Sequence, residues 1–253
     1  MWTEDRSFII PLVLHRIVRG RPYQWEDVTE DRLVEIVNVT GVRTTVVDFS
    51  KSTQCMRWLL TFDDGYDSNY KIVFPLLCSR KISAVFFLIT DRIGEPGYLK
   101  WNQIKEMQRH GMCFGSHSRS HRDMSALSIN DSYREFRESK AILEERLGVA
   151  TDAFSYPYGA YSSQLNALGY KCGYTRLFSS RHGFYDPSKS FAPRNSVNSR
   201  TRIEDINSLL QRGHKLRLKW ISEEIVKKSF KLMMGNYRYA KFRNGLMFKR
   251  GAP

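Results

Sequence analysis

Cysteine is scarce in this chain of 253 residues, and its placement excludes two kinds of site. The cysteines are Cys55, Cys78, Cys113 and Cys172, and no two of them form a Cys-x-x-Cys pair. This spacing fits neither a cysteine-rich zinc knot nor a dense disulfide framework. We interpret them as free thiols, buried or partly buried, in a reducing compartment.

Long apolar runs are also missing. No stretch approaches the ~20 apolar residues that span a bilayer. The segment 8–14 is too short for the apolar region of a signal peptide, and Glu4 and Asp5 precede it. We therefore interpret it as a buried strand and expect a cytoplasmic protein, in which the glycosylation sequons at Asn38 and Asn130 carry no meaning.

Acidic residues are outnumbered, since 40 Lys and Arg against 26 Asp and Glu leave a net charge of +14. Residues 212–253 hold 12 of the basic and 2 of the acidic side chains. Leu218, Ile221, Ile225 and Leu232 recur there at helical spacing. One interpretation is an interfacial helix that binds anionic lipid. The other is a terminal helix packed on the core with a solvated basic face. Nucleic acid is disfavoured, because stacking aromatics are not interleaved with the basic residues throughout the chain.

The chain shows no internal repeat and no low-complexity linker, and its length is close to the ~250 residues of one α/β barrel. Short apolar runs alternate with helical patterns, which predicts βα units and a largely parallel sheet. The predicted strands are 8–14, 44–48, 57–61, 83–89, 112–115, 152–156 and a short one near 191–195. The predicted helices are 66–80, 101–111, 128–148, 160–169 and 202–213.

Two adjacent carboxylates, Asp63 and Asp64, come just after the predicted strand 57–61 and precede Gly65. In an α/β barrel, carboxylates at the carboxyl end of a strand lie on the face where such folds carry out chemistry. Neighbouring strand residues point to opposite faces, but Gly65 permits a sharp turn that can aim both carboxylates at one cavity. Taken alone, Asp-Asp-Gly is equally the composition of a solvated turn.

His117 and His121 stand four residues apart after another predicted strand. Both rings can face one point if the segment curls into a helical turn, as in other zinc sites with this spacing. Alone the pair is a weak signal, but with Asp64 it provides two histidines and one carboxylate, the donor set of a catalytic metal with open positions. Asp63 then stays free to accept a proton from water whose pKa the metal lowers toward ~7.

The segment 154–159 contains a third candidate element. Pro157 fixes φ and Gly159 relaxes it, so the loop is stiff and can aim a main-chain N–H at a developing oxyanion. Without the other two segments it is no more than a turn at the end of a strand.

In this order and at these distances, the three segments resemble the polysaccharide deacetylases of carbohydrate esterase family 4 over roughly residues 8 to 213. The resemblance implies an α/β fold, a distorted (β/α) barrel of about seven parallel strands, with residues 214–253 as a basic C-terminal extension. It also implies a divalent metal, with Zn²⁺ expected and Co²⁺ sharing the same ligands. By this resemblance Asp63 is the general base and the Tyr158 N–H binds the oxyanion. The metal ligands are Asp64, His117 and His121.

Two departures from the family pattern concern the catalytic set. The family often has an arginine in the third segment, where this chain has Ser155. Arg194 resembles the arginine of a subgroup and can orient Asp63 by a charge-assisted hydrogen bond. The family's late histidine has no clear match, since His214 follows a helix. In some relatives that histidine lies on a strand permuted to the N-terminus, so we expect His15 to be the general acid; the alternative is a structural histidine at the end of a strand.

These residues predict a metal-dependent hydrolase that removes N-acetyl groups from an N-acetylated sugar or glycan. The alternative is a catalytically inactive relative that binds glycans or is recruited to a membrane. The expected location is the cytoplasm, peripheral to the inner face of the membrane, with an anionic lipid surface as a second partner through residues 214–253.

Overall fold

The computed structural model describes residues 9–40 and 58–211, and residues 222, 225–226, 229–231 and 233–249 of the C-terminal segment. The predicted strand 44–48 and the positions of Leu218, Ile221, Leu232 and His214 lie outside the described residues. Within the described residues, no helix combines the length and the apolar character needed to cross a bilayer.

One parallel sheet organises the molecule. Its eight strands run in the order β10-β1-β4-β5-β6-β7-β8-β9, and every neighbouring pair is parallel. A small second sheet pairs β2 with β3. The strands are β1 (Ile10–Leu14), β2 (Ile17–Val18), β3 (Val28–Thr29), β4 (Trp58–Phe62), β5 (Val85–Leu88), β6 (Cys113–Ser116), β7 (Ala153–Ser155), β8 (Arg176–Phe178), β9 (Phe191–Ala192) and β10 (Asn195–Ser196).

The two edges of the large sheet are close together, because they are formed by β9 and β10. Only Pro193 and Arg194 separate these strands in sequence. Three residue steps span at most ~11 Å, so the edges meet and the sheet must curl. The expected distorted (β/α) barrel is confirmed, with eight strands in the sheet where about seven were predicted.

Helices cover the outside of the curled sheet. They are α1 (Glu30–Thr40), α2 (Phe74–Ser79), α3 (Trp101–Arg109), α4 (Ile129–Leu147), α5 (Ser163–Lys171) and α6 (Ile203–Gln211). The last helix, α7 (Asn236–Lys249), packs instead against the turn Pro157–Gly159. The longest, α4, begins where the Ser128 side chain accepts a hydrogen bond from the Asp131 N–H, and ends at Gly148 with φ 68°. These caps explain why the sequence predicted α4 within one residue at each end.

Alternating residues of the strands divide the core into two layers. In β4, Trp58, Leu60 and Phe62 pack against the outer helices, whereas Leu59 belongs to a smaller apolar cluster inside the barrel. This period of two is the strand repeat, and it continues through Thr61 to Asp63 on the inner face. The inner face therefore carries apolar residues at one end and polar ones where the strand ends.

Several predictions of local structure need correction. Strand β8 and helix α1 were not predicted, and the strand expected near 191–195 is divided into β9 and β10 by Pro193, which cannot donate to the ladder. The predicted helix 160–169 begins at Ser163, because the Ser162 side chain caps the N–H of Leu165. The predicted helix 66–80 consists of the π-turn Asn69–Val73 followed by α2.

Candidate active site

The acidic pair lies at the carboxyl end of β4. The Asp63 N–H donates to the Leu14 carbonyl at 2.9 Å, which extends the pairing of β4 with β1 by one residue. Asp64 has φ 72° and Gly65 has φ 75°, so the chain turns sharply there. Consequently both carboxylates reach one cavity of about 90 Å³, which we name the central cavity. A Cβ on Gly65 would lie 2.9 Å from Leu88 Cδ2, so the turn has no room for a side chain.

Three side chains converge on one point of this cavity. The Oδ1 atom of Asp64 lies 3.3 Å from His117 Nε2 and 3.3 Å from His121 Nε2. All three donor atoms lie within 4.8 Å of one another. Two ligands bound tetrahedrally at 2.0–2.2 Å from one zinc ion are about 3.3–3.6 Å apart. The donor set and its spacing therefore fit a divalent metal such as zinc, and Asp64 Oδ1 is buried without a hydrogen-bond partner among the described residues.

The orientation of His117 suits a metal ligand. Its Nδ1 lies 2.8 Å from the carbonyl oxygen of Ser155, which can only accept a hydrogen bond. Nδ1 therefore carries the proton, and Nε2 faces Asp64. Burial works to lower the pKa of His117, but Asp63 and Asp64 outweigh it and raise that pKa, so a metal ion competes with a proton for Nε2.

The segment from His117 to His121 is not the helical turn that the sequence suggested. Ser118 has φ 66° and His121 has φ 60°, and the Ser118 hydroxyl accepts a hydrogen bond from the His121 N–H at 3.0 Å. Left-handed backbone at two residues other than glycine is strained. The spacing of four residues thus brings the rings together through a tight loop, with ring centroids 4.9 Å apart.

A buried glutamate on α4 holds that loop. One carboxylate oxygen of Glu135 accepts the N–H of Arg119 at 2.8 Å and the N–H of Ser120 at 2.9 Å. The other accepts the Ser120 hydroxyl. Glu135 was not predicted from the sequence, because it is one of several charged residues in α4 and nothing in the local pattern distinguishes it. It is buried because the loop 117–121 packs on it.

Asp63 is not part of the cluster formed by Asp64, His117 and His121. Its carboxylate pairs with Arg194 instead. The guanidinium donates to both carboxylate oxygens at 2.7 Å, and the Ser155 hydroxyl donates to one of them at 3.0 Å. Arg194 is fully buried and also donates to the Thr61 hydroxyl. Burial alone would raise the pKa of Asp63, but the charges of Arg194 and His117 hold it below its usual value.

The position of Arg194 follows from how the sheet curls. It lies in the two-residue connection between β9 and β10, where the edges of the sheet meet, and it reaches inward across the barrel to the end of β4. Ser155, at the end of β7, stands between them and accepts from Arg194 at 2.7 Å.

His15 lies beside Asp63. Leu14 pairs with Phe62, so the residues that follow these two strands are neighbours. His15 lines the central cavity, and its Nδ1 is buried without a hydrogen-bond partner among the described residues. The structure thus brings His15 to the same cavity as Asp63 and Asp64.

Tyr158 lines the other side of the central cavity, in the turn Pro157–Gly159, and has φ 57°. The hydrogen bonds of this turn run from Gly159 N–H to Tyr156 and from Ala160 N–H to Pro157, so they do not use the Tyr158 N–H. The phenol ring lies 4.8 Å from the His121 ring. The structure therefore brings together all seven residues that the sequence singled out.

Comparison with known proteins assigns these residues to a family. A sequence model of the polysaccharide deacetylase family matches residues 50–177, half of the chain. The chain belongs to the polysaccharide deacetylase family. The matched part contains the ends of β4 and β6 and the turn after β7, so it carries five of those seven residues.

Individual relatives show how far this family likeness extends. A Bacillus subtilis protein, YxkH, named as a polysaccharide deacetylase, is 33% identical over 127 residues, which are 50% of this chain and 45% of that protein. A poly-β-1,6-N-acetyl-D-glucosamine N-deacetylase of Staphylococcus aureus is 25% identical over 46% of each chain. These matches span less than half the length of the curated relatives. The structure of the Streptococcus pyogenes deacetylase PplD, in complex with acetate, shares the fold with a TM-score of 0.73 at 21% identity, over 80% of this chain and 98% of that one.

Residues from beyond the matched segment also line the candidate site. Lys231 donates to the Tyr158 carbonyl at 2.6 Å, and Asn236 donates to Asp123 at 2.8 Å. Both also line the central cavity, with Tyr239 and Arg243 of α7. The sequence offered only a general signal for them, the basic C-terminal segment, and no pattern that pointed to the site.

Proposed function

We propose that this polysaccharide deacetylase relative is a metal-dependent hydrolase that removes N-acetyl groups from an N-acetylated sugar or glycan. The observation that carries the proposal is the cluster of Asp64, His117 and His121 beside a carboxylate that an arginine holds in place. Family membership supports the reaction class. The substrate is proposed from the chemistry of the site and from the acetylated glycan in the name of the S. aureus relative.

Asp64, His117 and His121 would hold the metal. When bound, a divalent ion such as Zn²⁺, or Co²⁺ in its place, acidifies water and polarises the acetamide carbonyl. Burial lowers the pKa of His121 to about 4, so this ring is neutral near pH 7 and its Nε2 is available as a ligand.

Asp63 accepts the proton of the attacking water in this proposal. A carboxylate offers roughly four lone-pair sites, of which Arg194 and Ser155 occupy three. One acceptor position therefore remains, on a carboxylate that the guanidinium keeps ionised.

Two further residues act on the acyl centre and the leaving group. The hydrogen bonds of its turn do not use the Tyr158 N–H. This N–H donates to the oxyanion that forms as the water oxygen bonds to the carbonyl carbon. His15 then gives a proton to the amine nitrogen as the C–N bond breaks, which yields acetate and a free amino sugar.

The test separates metal binding from turnover. Asp63→Asn should retain the metal and lose nearly all acetate release from a panel of N-acetylated mono- and oligosaccharides. His117→Ala or His121→Ala should lose the metal, as measured by elemental analysis. Asp67→Asn, a carboxylate four residues on that pairs with Lys71, is the matched control. Full activity in Asp63→Asn would refute its role as base, and a wild-type chain that takes up no metal would favour the inactive, glycan-binding alternative.

We also propose an anionic lipid surface as a partner of the C-terminal segment, with the protein cytoplasmic and peripheral to the inner face of the membrane. Five of the ten large apolar side chains that the described residues expose belong to this basic segment. They are Ile225, Val226, Met233, Tyr237 and Phe242. Apolar and basic side chains exposed together favour an interfacial location over a solvated face alone.

Sedimentation with phosphatidylcholine vesicles, with and without phosphatidylglycerol, tests this partner. Ile225→Ser with Phe242→Ser should weaken binding to the anionic vesicles, whereas Ile129→Ser, an exposed isoleucine on α4, should not. Retention on DNA but not on vesicles would instead indicate a nucleic-acid partner, and retention on neither would rule out both.

A further inference from the structure

Three hollows lie in a row across the site. The first, the front groove, has a volume of about 490 Å³ and shares Asp64, His121 and Tyr158 with the central cavity. The rear cavity, of about 540 Å³, shares Ser196, Tyr239 and Arg243 with the central cavity. The front groove and the rear cavity have no lining residue in common, so the central cavity separates them.

The front groove has the character of a sugar subsite. Four tyrosines line it, Tyr66, Tyr98, Tyr158 and Tyr237. The rings of Tyr66 and Tyr98 stack at 5.3 Å. Tyrosine has an apolar ring face and a hydroxyl group, which match the C–H face and the hydroxyl groups of a pyranose ring. Its volume lies in the range of roughly 300–1,000 Å³ typical of small-ligand sites.

The boundary between the central and rear cavities is built from fixed side chains. Arg243 of α7 forms an ion pair with Glu26, and its guanidinium lies 5.7 Å from the centre of the Trp25 ring and 5.9 Å from that of Tyr239. The Trp25 N–H donates to the Asn244 side chain at 3.0 Å. We name the four residues Trp25, Glu26, Tyr239 and Arg243 the rear partition.

The Arg243 side chain is mostly enclosed, with 19% of it exposed. The Arg243 Nε is buried and has no hydrogen-bond partner among the described residues. The rear partition therefore limits this side of the central cavity, and the contacts among its own side chains hold it in place.

We propose that the rear partition makes this protein act on the terminal sugar of a glycan, with the rest of the chain leaving through the front groove. The inference rests on the proposed deacetylase function and deepens it by specifying which unit of the substrate reacts. For an internal unit to react, the glycan would have to continue past Arg243 and Tyr239. The side chains of the rear partition occupy that path. Specificity is thus set by α7 and the residues that follow β2, outside the metal site.

Acetate release from fully acetylated N-acetylglucosamine tetramers tests the proposal. Tandem mass spectrometry of end-labelled products should place the lost acetyl group at one terminal unit. Arg243→Ala and Tyr239→Ala should raise loss at internal units relative to that terminal unit by about tenfold or more, the equivalent of ~1.4 kcal/mol. Arg238→Ala, an exposed arginine of the same helix, is the matched control and should keep the wild-type pattern. Thermal melts establish that each variant is folded.

Equilibrium binding separates this inference from the reaction itself. In the zinc-loaded Asp63→Asn protein, a bulky fluorophore at one end of the tetramer should abolish binding, and the same group at the other end should be tolerated. Adding Arg243→Ala should restore binding of the blocked isomer. If the wild type releases no acetate but this end preference persists, the proposed function fails and the role of the rear partition stands. Wild-type removal of internal acetyl groups at the terminal rate, tolerance of both end groups, no binding of any tetramer, or identical behaviour of Arg243→Ala and Arg238→Ala would each overturn the inference.

Discussion

Asp63 depends on its immediate neighbours for its charge and its direction. Its carboxylate is buried, and without Arg194 that burial would favour the neutral acid. The paired hydrogen bonds from the guanidinium fix the plane of the carboxylate, and Ser155 occupies a further acceptor site. Arg194 is therefore a positioning residue for Asp63.

Replacing Arg194 by lysine tests this role. A lysine keeps the charge but offers a single point donor in place of the planar fork, so Asp63 loses its fixed orientation. We expect kcat to fall about 10- to 100-fold, with little change in KM or zinc content. Steady-state kinetics with elemental analysis would measure this. A variant with wild-type kcat would show that only the charge of Arg194 matters.

At the scale of secondary-structure elements, strand ends bring the site together and helix α4 keeps one part of it in shape. Asp63, His117 and Ser155 follow or end three different strands of the sheet, and parallel strands place those ends on the same face. The loop that follows β6 is strained at Ser118 and His121, and Glu135 of α4 binds its backbone. The geometry of a metal ligand thus depends on a helix that comes later in the chain.

Glu135→Ala should weaken zinc binding about 10- to 100-fold, because the loop that carries His121 loses the acceptor for two backbone N–H groups. Competition with a chromophoric chelator would measure the affinity. Glu138→Ala is the matched control, since Glu138 lies on the same helix, is half-exposed, and pairs with the side chain of Arg119 rather than with the loop backbone in the described part of the chain. Equal affinities in the two variants would show that the loop holds its shape without Glu135.

The secondary structure shows which elements sequence alone can predict. Helix α4 is predictable because its apolar stripe and both caps are local features. Helix α1 was missed, although Leu33, Ile36 and Val37 lie at helical spacing and are buried. The loop after β6 was expected to be helical, since spacing in sequence carries no information on the sign of φ at His121.

On the scale of the whole molecule, the candidate metal site lies at one end of a barrel that has its own core. The apolar clusters inside and outside the sheet do not include the metal ligands. Burial of these side chains is the dominant favourable contribution to folding. The metal should therefore add to the stability of a chain that folds without it.

Removing the metal tests that view. After chelation we expect an unchanged far-UV circular dichroism spectrum and a lower Tm. Zinc at about 1,000 times its Kd should then restore roughly 4 kcal/mol of stability. In His117→Ala, Tm should not respond to zinc. Loss of the far-UV signal on chelation would show instead that the metal is required for folding.

The donor groups of the candidate site and most of the strands can be predicted from sequence alone. The residue types of Asp64 and His117 define their donor atoms. Buried strands such as β5 are predictable because they are local runs of apolar residues. Three contacts become visible only in the folded chain: Arg194 pairs with Asp63, Glu135 binds the loop that carries the histidines, and Arg243 lines the central cavity. Each of these depends on how the sheet curls or how a later helix packs, and such contacts join residues far apart in the chain, for which local patterns carry no signal.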